Sequence, residues 1–209
     1  MSQERVNPGA QPTDAGMPAP RGRPRSAEAE EAILRTALEI LDDVGYGSFS
    51  IEAVAARAGV GRPTIYRRWP SKLELAIEAV VRLSPPLKVT DTGDPVADLR
   101  DLVAVLLPDM TSSAAGRAII ALASDPEVHG GLARHLDERY LRPRRAVFAD
   151  LLRRAADAGQ IRPDLDLELL IDLVMGAALY RWLVTGQPIN RQAARQIIDT
   201  VLNLAAPQA

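Results

Sequence analysis

From residue 50 the apolar positions come in two short helical bursts with a glycine between them. Ile51, Val54, Ala55 and Ala58 recur at helical spacing and make one apolar face. Ser50 stands where its hydroxyl can accept from a first-turn amide, and Gly59 stands where a left-handed residue closes a helix. Val60 plugs the turn. A second helix is predicted to start near Arg62 and Pro63, because first-turn amides have no partner inside the helix and proline costs nothing there. Ile65 and Trp69, four apart, face inward. Pro63, Thr64, Tyr66 and Arg67 face out.

The same pattern organises the rest of the chain. A helix capped by Ser26, with Glu28, Glu30 and Glu31 at its positive end, buries Ile33, Ala37, Ile40, Leu41 and Val44 and stops at Gly45. Phe49, in the loop that follows, belongs to the core. Residues 71–74 form an S-x-x-E box that opens a helix with Leu73, Ala76, Ile77, Val80 and Val81 on one face. That helix breaks at Ser84, Pro85 and Pro86, and residues 87–93 read as a linker.

Asp94 and Pro95 start a helix whose stripe is Val96, Leu99, Leu102, Val103 and Leu106, ending at Leu107 and Pro108. A small-residue helix over 112–124 contains Ile119, Ile120 and Leu122. Asp125 and Pro126 repeat the start signal, and Gly130 and Gly131 interrupt. A long helical pattern then runs to Gly159, with a kink or restart at Pro143. It buries Leu141, Val147, Phe148, Leu151 and Leu152 and puts Arg144, Arg145, Arg153 and Arg154 on the wet side. Asp166 caps a helix over 167–184 that is apolar on most of its circumference and so must be covered on all sides. Asn190 caps the last helix, with Ala194, Ile197, Ile198, Val201, Leu202 and Ala205 in its stripe. Two apolar helices at this end predict a four-helix interface between two copies, with Leu179, Leu183, Ile197, Ile198, Val201 and Leu202 in it. The alternative is that both helices are core of a monomer.

Composition narrows the chemistry. The chain has 209 residues, 47% of them hydrophobic, only 4% aromatic, and no cysteine. Alanine and leucine dominate, which favours an all-helical protein. Disulfides, thiolate metal sites and cysteine nucleophiles are excluded. His129 and His135, the only histidines, are six apart and do not share a helical face, so no metal site is expected. No phosphate-cradling glycine loop and no nucleophile–base pair can be placed. No enzyme, catalytic residue or cofactor is expected. No apolar run is long enough to span a bilayer and no signal segment opens the chain, so a cytoplasmic protein with no membrane partner is expected.

The net charge of −2 gives no hint of nucleic acid, but its distribution does. Residues 59–72 carry Arg62, Arg67, Arg68 and Lys72 and no acid, with Tyr66 among the cations. Such a face can satisfy phosphate oxygens and offer short side chains to base edges. Two short helices joined by a glycine turn form a helix-turn-helix, which lays its second helix in the major groove. Arg23 and Arg25 belong to a basic, extended arm over 21–25, behind a stretch to about residue 20 that is rich in Pro, Gly, Ala and Gln and is expected to be disordered. The arm reads as a minor-groove or phosphate contact.

Gly59-Val60-Gly61-Arg62-Pro63-Thr64-Ile65-Tyr66-Arg67-Arg68-Trp69-Pro70-Ser71-Lys72 resembles the DNA-reading segment of tetracycline-repressor-type (TetR) regulators. Gly61 departs from the serine or threonine cap common there, and Trp69 replaces a more frequent phenylalanine. The resemblance implies an all-α fold in two domains: a helix-turn-helix DNA-binding domain over 26–86, behind a disordered segment of 1–25 that ends in the basic arm, and a larger ligand-binding and dimerisation domain over 87–209. It also implies a homodimer through the last two helices and a palindromic operator of double-stranded DNA. Arg62, Pro63, Thr64 and Arg67, from the Gly61 cap on, then face bases, while Tyr66, Lys72 and Ser50 hold phosphates.

A repressor released by an unknown small apolar ligand follows from the resemblance. Met110, Tyr140, Phe148, Met175, Tyr180 and Trp182 are the large adaptable side chains that could line its pocket; singly, each reads as core. The linker at Pro85 and Pro86 and the kink at Pro143 are where a ligand-driven change could be absorbed. A constitutive or architectural DNA-binding factor, an activator, and a helical carrier or enzyme with an accidental motif stay open as alternatives.

Overall fold

The computed structural model describes residues 24–125 and 133–207. Among them are ten α-helices and two π-helical turns, and no strand. The first four helices are α1 (Pro24–Val44), α2 (Ile51–Ala58), α3 (Arg62–Tyr66) and α4 (Lys72–Leu83). Beyond the linker come α5 (Pro95–Ser112), α6 (Ala114–Ser124), α7 (Ala133–Leu136), a π-helical turn (Asp137–Leu141) and α8 (Arg142–Asp157). The chain ends with α9 (Leu167–Leu179), a second π-helical turn (Tyr180–Val184) and α10 (Arg191–Ala205).

Short-range chemistry sets most helix starts. Ser50 Oγ accepts from the Ala53 N–H at 3.2 Å, and Ser71 Oγ accepts from Glu74 N–H at 3.2 Å. Asp94 accepts from Val96 and Ala97, Asp166 from Glu168 and Leu169, and Asn190 from Ala193. Each cap satisfies amides that the helix itself cannot. The first helix differs from the reading above. It begins at Pro24, so Ser26 lies inside it and not at its cap. Leu34 joins its buried face, whereas Val44 is 51% exposed.

In the head, α1 packs on α2 and α4, and Phe49, Ile65 and Trp69 close the small bundle. Trp69 lies just past α3, which is only five residues long, and is held by its N–H to the Ile65 carbonyl. Beyond the linker, α5 is the central rod: α10, α8 and α6 all pack on it. Pro108 does not end α5, which continues to Ser112. Its ring removes one backbone bond, but Leu107 and Met110 are both buried, and their burial outweighs that loss.

The restart at Pro143 takes a specific form. The turn before it widens into π geometry, with Arg142 N–H bonded to the Asp137 carbonyl. One extra residue in a turn rotates everything beyond it. Leu141 therefore faces solvent instead of the core, and Arg144 turns inward instead of to the wet side. The predicted start at Pro126 and the break at Gly130 and Gly131 lie outside the described residues, as do His129 and residues 1–23.

The two halves share one continuous core. The Arg117 guanidinium on α6 clamps Asp42 on α1 with two bonds, Nε to Oδ1 at 2.6 Å. A paired fork of this kind fixes orientation as well as distance.

Candidate nucleic-acid interface and ligand cavity

The turn between α2 and α3 is built by Gly59, at φ +67°. Its N–H bonds the Ala56 carbonyl and Val60 N–H bonds the Ala55 carbonyl, which satisfies the α2 end and folds the chain back. Gly61 is the extended residue before α3 and has no side chain to cap it, so Pro63 in the first turn carries the start. Ile65 points into the core, which leaves Arg62, Pro63 and Arg67 exposed, Thr64 half-buried and Tyr66 46% exposed.

The cations of this face are not equivalent. Arg62 is 3.6 Å from Glu52 on α2, with both side chains mostly in water, a pairing of little strength that a phosphate or base can displace. Arg68 turns away from the outer face to Glu30 on α1 at 3.0 Å. Arg67 has no ion pair among the described residues and points out. Lys72 places its ammonium 4.4 Å over the Tyr46 ring, at the α4 N-terminus. Ser50 Oγ is spent as an acceptor by the Ala53 cap, while its hydroxyl proton remains available to donate. The structure thus brings Arg62, Pro63, Tyr66 and Arg67 onto one outward surface flanked by Ser50 and Lys72. Arg23 and the side chain of Arg25 lie outside the described residues.

The C-terminal side-chain set is distributed otherwise. A cavity of about 450 Å³ opens between the α4–α5 linker, α5, the start of α6 and the first π-helical turn. Of the six side chains expected to line a pocket, only Tyr140 does so. Met110 is buried at the α5–α6 corner, and Phe148 lines a separate small gap between α5, α8, α9 and α10. Met175 and Trp182 lie partly buried against the core, and Tyr180 is 62% exposed. The cavity is lined instead by the linker itself (Pro85, Leu87, Lys88, Val89), by Leu102, Val105 and Leu106 of α5, and by Arg144. Nothing in helical periodicity marks linker residues as a wall.

The expected interface also divides. Ile198, Val201 and Leu202 are buried against the chain's own core, and Ile197 and Leu179 are half-covered. Leu183 is exposed. The apolar residues left outside are Leu169 and Leu173 on α9, Tyr180 and Val184 beyond it, and Leu204 on α10. Leu169 and Leu173 do not stand out in the sequence, because a helix apolar all round shows no preferred face, and Leu204 lies outside the periodic stripe of α10.

A helix-turn-helix head whose outer surface carries arginines and a tyrosine, joined to an α-helical domain with a cavity, defines a DNA-binding regulator. The sequence model described as bacterial regulatory proteins, tetR family, matches residues 33–79, and that of the tetracyclin repressor-like C-terminal domain matches residues 89–201. An uncharacterized HTH-type transcriptional regulator of Bacillus subtilis, YdeS, is 32% identical over 183 residues, 87% of this chain and 92% of its own. The DNA-binding transcriptional repressor TetR of Mycobacteroides abscessus is 32% identical over 195 residues, covering 87% and 94%. A crystal structure of a TetR family transcription regulator superposes with a TM-score of 0.63 at 32% identity, covering 86% of this chain and all of that one. The chain belongs to the TetR family of transcriptional regulators. Among the described residues no single helix is long and apolar enough to cross a membrane.

Proposed function

We propose that this regulator is a homodimeric repressor that reads a two-fold-symmetric operator with α3 and leaves it when a small, largely apolar molecule fills the cavity. The observation that carries the reading is the α3 surface: Arg62, Pro63, Tyr66 and Arg67 exposed together, no carboxylate on the helix, and its inner side pinned by Ile65. In this reading Arg62, Pro63, Thr64 and Arg67 meet base edges from the Gly61 start, and Tyr66, Lys72, Ser50, Arg23 of the arm and Arg25, which lies in the first turn of α1 and not in an extended arm, meet phosphates.

A single five-residue helix reads few base pairs, so two heads must be joined. The outward apolar row of Leu169, Leu173, Tyr180 and Val184, beside Leu204, supplies a face for a second copy. Leu183 extends that row, and the half-covered Leu179 and Ile197 flank it. The proposed interface is therefore this outer side of α9 and α10, not Ile198, Val201 or Leu202. The repressor assignment follows the name of the Mycobacteroides relative.

Selection of bound sequences from random duplex DNA by the purified protein tests the reading. A palindrome with related half-sites is the expected product. Salt-sensitive binding without any consensus would overturn the sequence-specific role, and recovery of no DNA would overturn the reading as a whole.

A further inference from the structure

The charged groups around the cavity are unequally satisfied. Asp98, only 3% exposed, has both oxygens engaged by Thr92: Oδ1 and Oδ2 accept from its N–H at 3.2 and 3.3 Å, and Oδ1 accepts from its hydroxyl at 2.6 Å. Asp109 accepts from the Ser113 hydroxyl at 3.4 Å, and Asp101, exposed at the rim, lies 3.8 Å from Arg195. Each carboxylate therefore already faces a donor. The two cations do not face a carboxylate: among the described residues neither Arg144 nor Lys88 has an ion pair.

Arg144 is held in place by weaker partners. Its guanidinium lies 3.7 Å over the Tyr140 ring and donates to the Pro85 carbonyl at 2.9 Å. Its Nε is buried without any acceptor, and so is the nearby Ser84 hydroxyl. Buried donors without acceptors are costly, and a charged one most of all. A guanidinium in partly dry surroundings gains most from an anion that can accept two parallel bonds. The rest of the wall is mostly apolar: Leu87, Val89, Leu102, Val105 and Leu106, with Thr90 among them.

We propose that the cavity binds an amphipathic carboxylic acid, with its carboxylate on Arg144 and Lys88 and its apolar body against α5. The proposal rests on the ligand-controlled reading above and names the chemical class of ligand. It also gives that ligand a lever. Pro85 is the second residue past α4, so a carboxylate that takes Arg144 from the Pro85 carbonyl loosens the link that leads straight back to the reading head.

Two sets of probes matched in body and different only in head test it: decanoate, decanol and decylamine, and 2-naphthoate, 2-naphthylmethanol and 2-naphthylmethylamine. Each is titrated below micelle formation, with binding read by calorimetry and DNA release by fluorescence anisotropy on the selected operator. The acid of at least one set is expected to bind about ten-fold or more tightly than its alcohol, as a charge-assisted contact implies. Arg144→Gln on α8 and Lys88→Gln in the linker, two variants on separate elements, are each expected to bring the acid down toward the alcohol and leave the alcohol's affinity unchanged. Equal binding of acid and alcohol, or tighter binding of the amine, overturns the acid class while DNA release by any probe keeps the ligand-controlled reading. Binding by none of the six overturns the acid class as well, with operator binding itself left standing on the selection experiment.

Discussion

The Arg139 guanidinium donates to Glu78 Oε2 at 2.5 Å, from the first π-helical turn of the C-terminal domain to α4 of the reading head. Arg139 directly precedes Tyr140, the ring under Arg144. Glu78 also lies 3.5 Å from Arg82, Arg82 lies 3.4 Å from Glu30, and Glu30 pairs with Arg68 at 3.0 Å. Alternating charges thus run from the cavity wall to the end of the recognition segment. Glu78 is the middle of this run, and its side chain is only 17% exposed.

Removing the Glu78 charge without changing its shape leaves two arginines facing each other across the domain boundary. Glu78→Gln is expected to lower unfolding stability by about 1–2 kcal/mol, more than an exposed surface pair contributes. The loss should shrink at about 1 M salt, where the arginines are screened. Denaturant midpoints at low and high salt check this; equal losses in both would mean that packing, not charge, is what Glu78 supplies.

Two glycines separate two kinds of constraint. At Gly59 a Cβ meets nothing within 4 Å, and the cost of a side chain is conformational, from φ +67°. Gly59→Ala should cost about 1–2 kcal/mol, and Gly59→Asn less, since asparagine tolerates the left-handed region. At Gly116 a Cβ would sit 2.4 Å from the Met110 carbonyl oxygen, so the α5–α6 corner must open. Gly116→Ala should cost about 1–3 kcal/mol, and Gly116→Asn more than that. The opposite ordering of Ala and Asn at the two sites, read by thermal or denaturant unfolding, is the check.

These contrasts bear on what the sequence made legible. The caps Ser50, Ser71, Asp94, Asp166 and Asn190 all act where they were read, because a cap depends on residues two or three away. The α3 surface was legible for the same reason: seven residues between Gly61 of the turn and the buried Trp69 leave little freedom. The cavity was not. Its wall depends on where the linker lies against α5, and on a π-helical turn that rotates Arg144 inward by a phase no 3.6-residue period contains. Pro108 shows the same limit, since tertiary burial of Leu107 and Met110 overrides a local breaker. On α10 the stripe of Ile198, Val201 and Leu202 was legible, but periodicity does not say whether a stripe meets its own chain or another.

Acid should weaken the linker end of α5 by a defined route. The Gln160 amide, then the Ala97 N–H, hold the Asp94 carboxyl below its ordinary value of 3.8. The hydrogen bond from Arg154, then the Gly93 N–H, do the same for Asp91. A carboxyl with a lowered folded pKa stabilises the fold above its unfolded value and loses that contribution as pH falls through the folded one. Asp94→Asn keeps the cap and removes the titration. The wild type is expected to be the more stable at about pH 6, with the difference shrinking as pH falls below 3.8 toward the lowered folded pKa. A constant difference across that range in denaturant unfolding would show that the charge of Asp94 contributes nothing.

The outward apolar row predicts an assembly change without a folding change. Leu173 on α9 is 43% exposed in the single chain, and its neighbours Leu169 and Leu204 are more so. Leu173→Glu therefore leaves the fold intact, but it puts a charge where a second copy would have to bury it, and an unpaired buried charge is prohibitive. Sedimentation should show a monomer with unchanged far-UV circular dichroism. A Leu173→Glu dimer would move the proposed interface elsewhere.

Tyr66, the last residue of α3, and Arg67, its C-cap, are adjacent and both exposed, and should fail in different ways. Tyr66 offers one hydroxyl, and its ring is 46% exposed beside the turn. If that hydroxyl donates to phosphate, Tyr66→Phe weakens every bound sequence by a similar factor and leaves the consensus intact, because phosphates carry no sequence information. Arg67 has a fork that can read two acceptors on a guanine edge, a contact that discriminates by about 1–3 kcal/mol. Arg67→Ala should therefore relax one position of each half-site. Competition binding against single-base operator variants distinguishes the two, and the salt slope gives a second reading. Loss of a phosphate contact made by a cation lowers the slope by about one, whereas loss of the neutral tyrosine hydroxyl leaves it unchanged. An intact consensus with a lowered slope in Arg67→Ala would assign Arg67 to phosphate and leave Arg62 and Thr64 as the base-facing side chains of α3.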